Sequence, residues 1–276
     1  MKKRNPRHLM AVILFSFLLI AAIFITMLPN TLFQREKETG VTAENVIDDV
    51  SIRRSEDGGR TWSKQNIVAV GDGRNSGTYG YGDPALVTTA NGRIICLMAA
   101  GKNGYFSGMR NIGITTSDDN GVTWSAVREL TASNFTDATY NKTNSLGFWS
   151  IFTTSGKGLL KRDGTVMFTT NTLASSSSSS SNCVVITSKD EGQSWQLGPA
   201  IAYTGGDESK LEEMNDGSLL ISVRQSGARG FNTGNADASK WGTQWRNSQI
   251  TANACNADIL YYSRDIDGER DIMLHT

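Results

Sequence analysis

Three copies of one eight-residue pattern set the architecture of this chain: SEDGGRTW at 55–62, SDDNGVTW at 117–124 and SKDEGQSW at 188–195. Each reads Ser-x-Asp-x-Gly-x-(Thr/Ser)-Trp, and the starts lie 62 and 71 residues apart. Self-similarity at such spacings marks repeated supersecondary units. The octet reads as a tight hairpin turn. Its Asp side chain can accept from backbone N–H groups two residues on, and its Gly supplies the positive φ that closes the turn. The Trp then packs beneath the turn and can donate through its indole N–H. Apolar, β-rich runs precede each turn, at 50–52, 112–115 and 184–187.

The same design recurs between the octets. Short apolar runs flank Asn91–Gly92, Asp163–Gly164 and Asn215–Asp216–Gly217, the turn chemistry of β-hairpins. Glycine is abundant at 28 and proline scarce at 4, which suits many short strands joined by tight turns. Outside the first segment no amphipathic helix pattern longer than three turns is visible, so the chain reads as all-β. The serine run 175–181 reads as a solvated loop. The polar stretch 226–253 reads as a long loop, with Trp241 and Trp245 able either to stack on a sugar ring or to pack against a sheet.

Several function classes drop out on composition. A formal net charge of zero argues against a nucleic-acid groove. The two histidines are His8, in the basic leader, and His275, the penultimate residue, which argues against a Ser-His-Asp triad or a histidine zinc site. The cysteines, Cys96, Cys183 and Cys255, show no CxxC spacing and read as small apolar side chains rather than a disulfide framework. Lys2, Lys3, Arg4, Arg7 and His8 precede an apolar run over 9–28, long enough to span a bilayer as a helix. Residues 1–36 are therefore expected to be a signal peptide or signal anchor with its connector, and the protein to be exported: secreted, periplasmic or membrane-anchored. Residues 37–276 are expected to hold the folded domain.

The chemistry concentrates in GGDESKLEEMNDGSLLISVRQSGAR, 205–229. Glu208 follows a Gly-Gly turn, and Arg224 comes 16 residues later at the end of an apolar run. A hairpin between them would bring both side chains to one end of a sheet, where an Arg in a pocket can hold a substrate carboxylate through two parallel hydrogen bonds. On the residues alone an ordinary surface Glu and Arg on a hairpin is the favoured reading.

This stretch resembles the (E)SK-h-h-E-h-x-D-G-x-h-h-h-x-x-R segment of exo-α-sialidases, glycoside hydrolase family 33, and the octets resemble that family's Asp-box, or bacterial neuraminidase repeat. The resemblance extends in order through IDDVSIRRSEDGGRTWS at 47–63, YGDPALV at 81–87, SGKGLLKRDGTVMF at 155–168 and ACNADILYYS at 254–263. It implies a six-bladed β-propeller, with the Asp-box between the third and fourth strands of a blade. It also implies a retaining, metal- and cofactor-free hydrolase that removes terminal sialic acids from sialylated glycans. In that family a tyrosine is the nucleophile, a glutamate takes its proton, an aspartic acid protonates the leaving oxygen, and three arginines hold the sugar carboxylate.

Carried over residue by residue, Glu208 matches the glutamate that serves the tyrosine and Arg224 the second arginine, while Asp83 stands where an aspartate approaches the sugar. The first arginine's Arg-Ile-Pro segment has no match. The acid/base aspartate should fall near Ala43–Glu44, and neither is Asp. The third arginine and the tyrosine are expected beyond position 276, and Tyr261 and Tyr262 match strand positions of a preceding motif, so they are expected to pack. Residues 37–276 thus read as about four blades of a truncated sialidase. The alternative is a non-catalytic or vestigial carbohydrate-binding propeller tethered to a membrane.

Overall fold

The computed structural model describes residues 49–71, 79–102, 109–137, 142–143, 146–178, 180–250, 255–262 and 272–276. The leader with its apolar helix, expected over 1–36, lies outside the described residues. Among the described residues the fold is all-β apart from one 3-10 turn, Ala132–Asn134.

Strands join their sequence neighbours in successive antiparallel sheets. Tyr79–Thr88, Ile94–Lys102, Met109–Ser117 and Arg128–Leu130 form one up-and-down sheet. In the next, Ser150–Thr153 and Leu159–Leu160 share one edge, followed by Val166–Leu173, Ser181–Ser188 and Gln196–Leu197. Ser209–Glu213, Leu219–Val223, Arg229–Gly234 and Trp245–Asn247 form a third. Two-stranded sheets stand at each end, Val50–Ile52 with Asn66–Ala69 and Ile259–Tyr262 with Ile272–His275. One short strand crosses over: Gly156–Lys157, from the second large sheet's segment, pairs in parallel with Ala85–Leu86 of the first.

The core explains why the inner strands read as continuous apolar runs. In Cys183–Val184–Val185–Ile186, Val184 and Ile186 pack with Ile95, Leu97, Ile112 and Phe168 of one cluster. Cys183 and Val185, pointing to the other face, pack with Leu211, Ile221 and Val223 of the next. Ile94–Lys102 does the same, sending Ile95 and Leu97 one way and Cys96 and Met98 the other. A strand buried on both faces needs apolar residues at every position, because successive side chains alternate. The cysteines are free, with Cys96 and Cys183 buried as expected and Cys255 exposed.

All three octets are turns between neighbouring strands of a sheet, and they share one hydrogen-bond set. In the first, Ser55 Oγ donates to Asp57 Oδ1 at 2.8 Å, Gly59 N donates to Ser55 Oγ at 2.7 Å, and Trp62 Nε1 donates to Gly59 O at 3.0 Å. The carboxylate reaches four residues on rather than two: Thr61 N and Oγ1 donate to Asp57 at 2.9 and 2.6 Å. Asp119 with Thr123 and Asp190 with Ser194 repeat this. Two successive residues take positive φ in each turn, and in the third the first of them is Glu191 (φ 58) rather than Gly or Asn.

These contacts hold the Asp119 carboxyl down at about 2, chiefly through the Thr123 hydroxyl and amide, and Asp57 lower still through Thr61. A carboxyl depressed in the folded chain contributes stability that is fully present above its unfolded value, about pH 4, and is lost as pH falls through the folded one. Asp119→Asn is expected to flatten the acid limb of stability, read as urea midpoints between about pH 7 and about pH 3. Parallel pH slopes in variant and wild type would refute this.

The turns are stitched to one another. Arg54 Nη1 donates to Asn120 O at 3.3 Å, and Arg128 Nη2 donates to Gly192 O and Gln193 O at 2.5 and 3.1 Å. The stretch read as a loop at 226–253 instead supplies two strands, Arg229–Gly234 and Trp245–Asn247, with turns and irregular chain between them. Its polar composition hides this, since Arg229 and Asn232 are buried with their hydrogen bonds made internally. The turn it carries is a degenerate fourth box. Trp241 Nε1 donates to the carbonyl of Ala238 (φ 58), and Asn235 Oδ1 accepts from Lys240 N. Trp241 packs on Gly234, and Trp245 stacks on Phe231 with centroids 5.8 Å apart. Both tryptophans therefore pack on the sheet.

Candidate functional site

The hairpin expected between Glu208 and Arg224 forms. Ser209 pairs with Val223, and Arg224 N donates to Glu208 O at 2.8 Å, extending the ladder one step. Both side chains therefore leave the same end of the sheet. Arg224 Nη1 lies 2.8 Å from Glu208 Oε2 and 3.5 Å from Asp207 Oδ2. Asp207 is steadied by Asn171 Nδ2 at 3.1 Å. Glu208 is 16% exposed and Arg224 34%, so the pair sits at the mouth of the buried interior. Partial burial works against the guanidinium's charge, and the Glu208 and Asp207 carboxylates together outweigh it, holding Arg224 above its ordinary value. Both ion pairs run through Nη1, so Nε and Nη2 are the fork's remaining donors.

Asp83 lies on the neighbouring sheet. It sits half-buried at φ 47, inside the irregularity between Gly82 and Ala85. Because Gly156 pairs with Ala85 in parallel, Asp83 and Ser155 fall at the same end of adjacent strands. Ser155 in turn donates to Glu208 Oε1 at 3.3 Å. The structure thus joins Glu208 and Arg224 directly, and places Asp83 at the same end by register.

Beneath the pair is a set of buried charges that sequence reasoning did not single out. Lys157 Nζ bonds Glu212 Oε1, donates to Ile259 O at 2.5 Å and lies 3.7 Å from Asp258 Oδ1. Desolvation pushes the Glu212 carboxyl up, with Lys157 opposing it. Lys210, 2% exposed, donates from Nζ to Asn256 Oδ1 at 2.8 Å. Burial pushes its amine down to about 8, against the pull of Asp258 and Glu208. Arg229, 1% exposed, donates from Nε to Ser222 Oγ at 2.8 Å and from Nη1 to Cys255 O at 3.1 Å. Gly156 (φ 122) admits this cluster: a Cβ there would lie 2.3 Å from Lys210 Cε. A signal was present in Lys210–Leu211–Glu212, where two charges alternate with an apolar residue in the middle of a strand and so share its face.

His275 Nε2 lies 3.2 Å from Ser222 Oγ. That serine is completely buried and its hydroxyl already accepts from Arg229, so this is a structural contact rather than a nucleophile and its base. Tyr261 and Tyr262 belong to the Ile259–Tyr262 strand, paired with Met273 and Ile272.

The sequence repeats and the stacked sheets have a common explanation. The family model described as a BNR repeat-like domain matches residues 42–261. This chain belongs to that family. The BNR repeat-like domain is 30% identical over 210 residues to the sialidase of Micromonospora viridifaciens, covering 71% of this chain and 30% of the relative. Its fold matches that of a Hadza microbial sialidase at a TM-score of 0.67 and 24% identity, over 82% of this chain and 46% of that one. It also matches Trypanosoma rangeli sialidase in complex with sialic acid, at a TM-score of 0.61 and 15% identity, over 84% and 39% of the two chains. The BNR repeat-like chain therefore spans less than half the length of each of these sialidases.

Proposed function

We propose that this chain supplies the Glu208–Arg224 part of the site of an exo-α-sialidase that hydrolyses terminal sialic acids of glycoconjugates with retention. The observation that carries this is the ion-paired Glu208 and Arg224 on one hairpin end. Arg224 presents a planar fork suited to a sugar carboxylate. Glu208, held on both oxygens by Arg224 and Ser155, serves in this reading as the carboxylate that takes the nucleophile's proton. Asp83, at the same end, approaches the sugar. In this reading the sheets are blades of a six-bladed sialidase-type propeller, of which this chain contributes about four. The apolar run at 9–28 exports it and, if uncleaved, ties it to a membrane.

The test is a titration of the full chain with sialic acid and with its methyl ester, alongside a fluorogenic sialoside assay. The acid is expected to bind and the ester, lacking the carboxylate, is not; equal binding would sink the assignment. Turnover abolished by Glu208→Gln would show that catalysis is complete in this chain. Binding without turnover favours the carbohydrate-binding reading for this polypeptide.

A further inference from the structure

The interior below Glu208 holds a continuous hydrogen-bond chain. Lys210 Nζ donates to Asn256 Oδ1 at 2.8 Å, Asn256 Nδ2 donates to Ser155 Oγ at 2.6 Å, and Ser155 Oγ donates to Glu208 Oε1 at 3.3 Å. Every link runs the same way. An ammonium only donates and a carboxylate only accepts, so the two ends force the orientation of the amide and the hydroxyl between them. The chain also crosses the fold: Ser155 comes from the segment that docks on the first large sheet, Lys210 and Glu208 from the third, and Asn256 from the run leading into Ile259–Tyr262.

We propose that Lys210 is a positioning residue for Glu208, acting through Asn256 and Ser155 to fix the orientation of the carboxylate. This deepens the reading of Glu208 as a site carboxylate and rests on it. Lys210 itself is too deeply buried to meet a ligand. A cation placed there is costly, since desolvation opposes it, and the lone surface advantage of a lysine is absent. What it gains is a polarised path: each donor in such a series strengthens the next in a low-dielectric interior. The charged groups around it are Asp258 and Glu208, which favour the ammonium, and Arg229 and Lys157, which oppose it. Gly156 is the backbone's contribution, because a side chain at that position would occupy the space of the Lys210 stem.

The experiment uses the full chain carrying ¹³C at its glutamate carboxyls, with the Glu208 resonance identified by its loss in Glu208→Gln. Ser155→Ala, Asn256→Ala and Lys210→Met are each expected to move the Glu208 carboxyl resonance. Lys210→Met is expected to add nothing once Ser155→Ala has cut the chain, since residues acting through one network are not additive. In sialic acid titrations Lys210→Met is expected to weaken binding about fivefold, and less than twofold in the Ser155→Ala background. A Glu208 resonance unmoved by Lys210→Met, or additive shifts in the double variant, would overturn the proposal. If Lys210→Met does not fold, half-buried Asn256→Ala carries the same comparison, and an unmoved Glu208 resonance there overturns it equally. Failure of the functional reading looks different: the resonance responds to the three variants but not to sialic acid.

Discussion

Arg224→Ala is expected to weaken sialic acid binding about thirtyfold, roughly 2 kcal/mol, while leaving the fold intact. The size follows from the loss of a charge-assisted, geometrically matched contact at a partly exposed site, which places it at the low end for truncated charge pairs. The fold should hold because alanine keeps the backbone N–H to Glu208 O that closes the hairpin, while the ion pairs it loses, to Glu208 and Asp207, lie at a partly exposed end. Arg224→Lys separates charge from shape. It restores a cation but not the planar fork, so it should recover only part of the loss. Isothermal titration with sialic acid, alongside a urea midpoint for each variant, checks both halves. Unchanged affinity in Arg224→Ala would remove this residue from the site.

The second large effect concerns stability. Lys157→Met is expected to cost about 3–5 kcal/mol, because it leaves Glu212 and Asp258 without their cation in a buried setting. The side chains of Lys157 and Glu212 are 12% and 9% exposed, so water cannot substitute well. Lys157→Met combined with Glu212→Leu should recover most of the loss, since replacing both partners by apolar groups removes the uncompensated charge. The sign with pH also follows. A carboxyl whose folded value is raised above its unfolded one favours the fold below the unfolded value and loses that contribution as pH rises through the folded value. The deficit of Lys157→Met should therefore be larger at neutral pH than at about pH 5. Urea midpoints at the two pH values measure it, and a pH-independent deficit would contradict this account.

How much of this was legible in the sequence depends on the range of the interaction. The octets announced their turns because a complete turn is written within eight residues: Ser, Asp, Gly, Thr or Ser, and Trp all bond one another locally. The Glu208–Arg224 hairpin was legible for the same reason, its Asn215–Asp216–Gly217 turn and its apolar strand being contiguous. The strand Arg229–Gly234 was not, because its polar side chains find partners far away: Arg229 on Cys255 and Asn232 on Ala202. Only the assembled fold makes Arg-Gly-Phe-Asn a strand. The buried cluster under Glu208 was legible only in the alternation of Lys210–Leu211–Glu212; its other members were not, since Ser155 and Asn256 are 101 positions apart and meet only when three sheets stack. A lysine in a strand reads as solvated until its burial is known. The degenerate fourth turn, with Asn235 and Ala238 in place of Asp and Gly, shows the limit of matching residues rather than geometry.

The short crossing strand has one more consequence. Gly156–Lys157 hydrogen-bonds to Ala85–Leu86 through the main chain, so peeling the second large sheet from the first means breaking backbone bonds as well as separating apolar faces. The two sheets cannot open one after the other as neighbouring repeats in an open stack would. Amide protons of the paired strands Tyr79–Thr88, Ile94–Lys102 and Val166–Leu173 should thus share a single protective event in hydrogen exchange, a cooperative unit that no one repeat defines.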